Sequence, residues 1–135
     1  MDLPYFPIES LADTGSRYDV IVASEVIEHV TDTGSFMGSL ESMLNSNGKL
    51  IISTVNRTNK SYLTAIVGAE YVLGLVAKGT HDWNKFITPD ELSEMISKQN
   101  LFVDNISGMS YNPITQSASF TEDLSVNYFY CASKM

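Results

Sequence analysis

At 135 residues, 44% of them hydrophobic, the chain is long enough for one domain with one sizeable core, and nothing in it suggests two. Sixteen acidic against eight basic residues give a formal net charge of −8, which repels phosphate backbones and leaves no basic patch, so nucleic acid is not an expected partner. The single cysteine, Cys131, rules out an internal disulfide, fits a reducing compartment and reads as a small buried hydrophobe.

The first residues, MDLPYFPIESLADTG, carry neither a basic n-region nor an Arg-rich amphipathic pattern, so no signal or transit peptide is expected in them. YDVIVA, Tyr18 to Ala23, is a short β-branched apolar run after the turn-like DTGS and predicts a buried parallel-type strand. A helix is expected to begin near Ser24. In SFMGSLESMLNSNG, Phe36, Leu40, Met43 and Leu44 recur at helical spacing, with Asn47-Gly48 as the left-handed stop. KLIISTV predicts a second strand. Ser61 to Ala77 reads as a helix apolar on most sides, and it is too short, with Glu70 inside it, to span a bilayer. Flanked by Arg57, Lys60 and Lys78, residues 57–78 could instead lie in a membrane interface with the cations at headgroup level; the plainer reading is a core helix.

After the polar-aromatic loop THDWNKF, which holds His81, TPDELSEMISKQN opens with a Thr N-cap, Pro at the first helical position and Glu at the third. LFVDNISGMS predicts a third strand, YNPITQSASFTEDL a loop, and SVNYFYCAS a closing antiparallel strand. Strand, helix, strand, helix, helix, strand, strand is an α/β order, with a mostly parallel sheet. A doubly wound nucleotide-binding sheet normally shows a Gly-rich turn after its first strand and an acidic residue about 20 positions later. Neither is present, so residues 1–135 read as one partial domain, the second half of such a fold.

SEVIEHV places two carboxylates and an imidazole within five residues at a strand end. On a helix starting at Ser24, Glu25, Glu28 and His29 would share one face at i, i+3 and i+4. They could ligate a divalent ion that lowers the pKa of a substrate hydroxyl. Equally, the two acids could be ordinary helix N-terminal carboxylates favoured by the macrodipole, with His29 a satisfied polar residue or a general base. Ser24 closes the strand at the carboxyl edge, where α/β sheets bind ligands, and could also be a simple N-cap.

SEVIEHV, ISTVNRTNKSYLTAIVGAEYVLGLVAKGTHDWNKFITPDEL, GMSYNPIT and SVNYFYCASK, taken in order, resemble the ubiquinone-biosynthesis O-methyltransferases. The resemblance runs from about Tyr18 to the C-terminus. It implies a Rossmann-like methyltransferase fold, incomplete here because the N-terminal strands with the Gly-rich loop are missing. It also implies S-adenosylmethionine as cofactor, contacted by Ser24, and a divalent metal, foremost Mg2+, held by Glu25, Glu28 and His29. The implied reaction is O-methylation of catechol-like polyprenyl intermediates. The implied partners are that substrate, a membrane lipid surface and other coenzyme Q biosynthesis proteins. The implied location is the matrix side of the mitochondrial inner membrane, or the membrane-associated cytoplasm of a bacterium. A rival expectation is a truncated, non-catalytic module that docks to lipid or to those proteins.

Overall fold

The computed structural model describes residues 7–61, 83–112 and 114–135. Helix α1 (Ile8–Asp13) precedes strand β1 (Tyr18–Ser24); a 3-10 turn over Ile27–His29 leads to helix α2 (Thr33–Ser42) and strand β2 (Leu44–Val55). The helical turn α3 (Asn59–Ser61) is followed, in the described residues, by a 3-10 turn over Trp83–Lys85 and helix α4 (Pro89–Ser97). Strands β3 (Leu101–Asn112), β4 (Ser117–Thr121) and β5 (Asn127–Lys134) complete the chain. Nearly all of the helix expected over 61–77, most of the interface helix read over 57–78, and the loop around His81 lie outside the described residues. Among the described residues, no helix is long and apolar enough to cross a membrane.

The five strands form one sheet in the order β1-β2-β5-β3-β4. Among the described residues, only β1 and β2 pair in parallel; β2 with β5, β5 with β3, and β3 with β4 are antiparallel. The expected mostly parallel sheet is thus corrected. β1, β2 and β3 do run in one direction, but β5 inserts between β2 and β3 and makes their neighbour contacts antiparallel. Residues 111–124, expected as a loop, contain the end of β3 and all of β4, which form a hairpin in which Met109 faces Phe120 and Asn112 faces Ser117. Exposed residues such as Ile114 and Phe120 hide it from a burial-based reading, because neither strand of this outer hairpin alternates cleanly between core and solvent.

Helix α2 starts earlier than expected, with Asp32 as N-cap accepting from the Ser35 N–H at 3.0 Å, and it ends at Ser42. Met43 and Leu44 are buried in the core from a turn and a strand, so their helical spacing was coincidental. Asn47 is left-handed, at φ 66°, but within β2, where the register to β1 shifts. A Cβ on Gly48 would come within 2.7 Å of the Asn45 carbonyl oxygen, so the Asn-Gly pair serves this irregularity and not a helix end.

One core joins the inner face of the sheet to the helices: Leu50 and Ile52 of β2, Tyr128, Tyr130 and Ala132 of β5, Leu40 of α2, and Leu92 and Ile96 of α4. Alternation sends Val20 and Val22 of β1 to the other face, where they are 55% and 62% exposed. β1 is also an edge strand, so its apolar sequence is only half used by the described residues. Cys131 points the same way and is half-buried, less sheltered than its small apolar character suggested.

Helix α4 has the expected capping box. Thr88 Oγ1 accepts from the Glu91 N–H at 3.2 Å, and Glu91 Oε1 accepts from the Thr88 N–H at 3.1 Å. Glu91 also takes Arg57 Nη2 at 2.7 Å. Burial pushes its carboxyl upward, but the Thr88 bonds and the Arg57 charge outweigh it and hold the group below the usual range. Thr88→Ala is expected to cost about 1 kcal/mol, read as a lower urea midpoint at unchanged slope; an unmoved midpoint would show that the cap contributes nothing.

Candidate functional site

Parallel pairing of β1 with β2 brings their carboxyl ends together, with Ser24 opposite Ser53. The chain then has to leave the sheet at once, and it does so through Glu25, which adopts the left-handed φ of 53°. A glutamate rarely takes this conformation, and its cost must be offset by local bonds. Those bonds come from β2: the Glu25 N–H donates to Ser53 O at 2.9 Å and approaches Ser53 Oγ at 3.2 Å, while the Ser24 and Ser53 hydroxyls meet at 3.0 Å.

The helix expected from Ser24 does not form. β1 continues through Ser24, and only the 3-10 turn Ile27–His29 follows, without a side-chain cap. Ser24 is therefore a strand-end residue bonded to Ser53 and not an N-cap, and the i, i+3, i+4 helical face of Glu25, Glu28 and His29 is replaced by a tight bend. The bend still brings the acids together. Glu28 is buried, with Thr54 Oγ1 donating to its Oε2 at 2.8 Å. Partial burial of the carboxyl, the neighbouring Glu28 charge and a hydrogen bond with Glu28 push the Glu25 carboxyl up to about 7, although the residue as a whole is exposed to solvent. Two carboxylates close enough to share a proton form one unit.

His29 borders that unit from the solvent side. Its side chain is half-exposed, with Nε2 at 3.8 Å from Glu28 Oε1. Among the described residues, no three His, Cys, Asp or Glu side chains converge so as to hold a metal ion. The expected three-residue ligand set is therefore not assembled. Glu25 and Glu28 alone offer oxygen donors of the kind Mg2+ accepts, since that ion commonly keeps several waters and takes one or two carboxylates.

Between α1, β1 and α2 lies a cavity of about 620 Å3, walled by Ile8 of α1, Ala23, Val26, His29, Asp32 and Phe36 but not by Glu25 or Glu28. Its mainly apolar wall with a few polar groups suits a drug-sized or nucleoside-sized ligand.

Ser53 and Thr54 escaped the reading of the sequence as site residues, although they sit in the STVNR stretch that carried the resemblance. Successive strand residues point to opposite faces, so one reaches Ser24 and Glu25 while the other reaches Glu28. The rest of the stretch is equally occupied. Asn56 Nδ2 donates to Leu124 O at 2.8 Å, Arg57 Nη1 to Phe86 O at 3.0 Å, and Trp83 Nε1 to Thr58 O at 2.9 Å.

The profile of a methyltransferase domain family matches residues 5–105. The chain belongs to this family. It is 44% identical over 123 residues to a ubiquinone biosynthesis O-methyltransferase of Bradyrhizobium sp. (strain ORS 278), covering 91% of the chain and 49% of that protein. It is 47% identical over 121 residues to the namesake from Azorhizobium caulinodans, covering 90% and 48%. To the mitochondrial enzyme of that name from Arabidopsis thaliana it is 43% identical over 126 residues, covering 93% and 39%. The chain thus spans about half the length, or less, of these relatives.

Among solved structures, it is similar to the magnesium protoporphyrin IX methyltransferase of Synechocystis PCC 6803 with bound SAH, at TM-score 0.58 and 16% identity, covering 93% of this chain and 48% of that one. It is also similar to a SAM-dependent methyltransferase of Thermotoga maritima, at TM-score 0.59 and 14% identity, covering 90% and 58%. At these identities the likeness speaks to the fold, and it is the α/β fold of methyltransferases that the chain shares.

Proposed function

We propose that the chain carries the carboxyl-edge part of an S-adenosylmethionine-dependent O-methyltransferase that methylates catechol-like polyprenyl intermediates of ubiquinone biosynthesis. What carries this reading is the coincidence of a carboxylate pair at a strand end with 43 to 47% identity to relatives of that name. The cavity beside β1 would take the adenosyl part of the cofactor, and Ser24, next in the chain to the lining residue Ala23, would contact it through its backbone. Methyl transfer needs in-line approach of a deprotonated oxygen to the methyl carbon of the sulfonium, so positioning and proton removal are the tasks left to the protein. Glu25 and Glu28 would accept that proton, a role that the raised pKa of Glu25 supports. A divalent cation, foremost Mg2+, held by the same two carboxylates would lower the pKa of the hydroxyl and orient it. His29, half-exposed beside Glu28, would face the substrate side.

The substrate's polyprenyl chain partitions into lipid, so the whole enzyme would work at a membrane surface among other coenzyme Q proteins. In a eukaryote that surface would be the matrix side of the mitochondrial inner membrane. In a bacterium it would be the cytoplasmic membrane. A second reading is favoured by the position of β1 at the edge of the described sheet and its two exposed valines: a docking module without cofactor affinity of its own.

Calorimetric titration of the purified chain with S-adenosylmethionine, with and without Mg2+ and beside Glu25→Ala, separates the two. Saturable binding in the micromolar range is expected, with the Mg2+ response lost in Glu25→Ala. No heat at millimolar ligand would reject the cofactor pocket for this chain and leave the docking reading.

A further inference from the structure

We propose that the tip of the β3–β4 hairpin docks on an uncharged lipid surface, which it meets with Tyr111, Ile114 and Phe120. The proposal rests on the membrane-surface reading above and deepens it by naming the part of the chain that makes the contact. Ile114, Phe120 and Tyr111 are 92%, 76% and 58% exposed. Met109 stands opposite Phe120 and Tyr111 opposite Ala118, so the two rings share one face of the hairpin. Phe120 leans edge-on against Phe129 of β5, with ring centroids 6.1 Å apart, and still leaves most of its surface in water. Large apolar side chains grouped on one exposed element mark an interaction surface.

Charge decides which surface it fits. Residues 105–121 contain no Asp, Glu, Lys, Arg or His and form the longest run without one in a chain of net charge −8. A body that acidic is repelled by anionic lipid, whereas an uncharged hairpin standing out from it matches a zwitterionic boundary. Arg57 and Lys60, read from the sequence as headgroup contacts, are each engaged by a carboxylate, Arg57 by Glu91 at 2.7 Å and Lys60 by Asp123 at 3.1 Å. The tip also suits a medium that solvates backbone groups poorly. Asn112 Oδ1 accepts from the N–H of Ile114 at 2.9 Å and of Thr115 at 3.3 Å, and the Thr115 and Ser117 hydroxyls meet at 2.7 Å, so these polar groups are paired within the turn.

Placement ties this surface to the candidate site. Among the described residues, β3 pairs with β5 as far as Gly108, and its last residues pair with β4 alone. Because β3 runs in the direction of β1 and β2, the hairpin projects past the same sheet edge at which β1 ends in Ser24. A tip held at the lipid boundary turns that edge toward the phase in which a polyprenyl tail dissolves.

The test is flotation of the full chain with phosphatidylcholine vesicles and with vesicles that also contain phosphatidylglycerol, for wild type, Ile114→Glu and Val20→Glu, with analytical ultracentrifugation of each without lipid. Val20 is an exposed apolar residue on the edge strand at the other side of the sheet and serves as the control. Wild type is expected to float with phosphatidylcholine and less well with phosphatidylglycerol. Ile114→Glu should lower partitioning by about tenfold or more, because an apolar side chain of this size no longer leaves water; Val20→Glu should leave it unchanged. If wild type does not float, the membrane-surface reading falls, and this proposal with it. If Ile114→Glu floats as wild type does, the membrane-surface reading stands through another part of the chain and the hairpin is refuted. An equal loss in Val20→Glu, or binding that strengthens with phosphatidylglycerol and fades with salt, refutes it too. A wild-type dimer that becomes a monomer in Ile114→Glu would make the hairpin a contact between two copies of the chain and overturn the lipid assignment.

Discussion

Between pH 5 and pH 8 the folded chain is expected to lose stability, and Glu25→Gln is expected to flatten that loss. Glu25 titrates at about 7 in the fold against an ordinary 4.5, because burial, the Glu28 charge and the hydrogen bond with Glu28 all disfavour its charged form. The folded state therefore binds the proton more tightly than the unfolded chain does. Its contribution is fully present below about pH 4.5 and disappears as the pH rises through 7. The exposed edge of the side chain lets solvent screen part of the effect, so the loss amounts to about 1 kcal/mol and not to the full conversion of the shift.

The acid limb has the opposite sign. Hydrogen bonds from Ser125, with Lys60 adding its charge, hold the Asp123 carboxyl down at about 2, and Asp104 and Glu91 also lie below their ordinary values. Stability from these groups is lost as the pH falls below the usual carboxylate range. Urea denaturation across the pH series should accordingly show a maximum near pH 5. A midpoint that keeps rising to pH 8, or a Glu25→Gln variant with the same slope as wild type, would contradict the coupled-pair geometry.

Leu50→Ala is expected to be the most damaging of the substitutions discussed here, at about 3 kcal/mol, which lowers Tm by roughly 10 °C. Leu50 is completely buried on β2, which hydrogen-bonds to both β1 and β5, and it lies in the cluster that includes Leu92, Ile96 and Ala132. Neighbours held by two strand pairings cannot close over the vacated volume, so a cavity term adds to the lost transfer free energy. Ile51, the next residue, faces the opposite side and is only half-buried, and its truncation should cost about half as much or less. Differential scanning calorimetry of both variants checks the facing of β2. Equal losses would mean that the assigned inner face of the sheet is wrong.

The sequence alone determined the local devices and the family. Thr88, Pro89 and Glu91 announce the start of α4 because a capping box is a short-range pattern of bonding groups. The β-branched run before Ser24 announces β1, and the ordered motifs announce a methyltransferase domain. Glu25 and Glu28 were also legible as a pair, since five residues at a strand end cannot separate far.

The tertiary structure decided everything that depends on which strands become neighbours. The closing strand is antiparallel as expected, but its insertion between β2 and β3 turned an expected mostly parallel sheet into a largely antiparallel one, and the β2–β5 pairing, unlike helix capping, is settled between residues more than 70 positions apart. The same long-range pairing of Ser24 with Ser53 ended the strand in a left-handed bend where a helix was expected, separated His29 from a shared helical face, and placed Thr54 against Glu28. No spacing rule connects positions 28 and 54. Their contact exists because two strands meet, and that meeting, more than the acidic motif itself, gives the candidate site its shape.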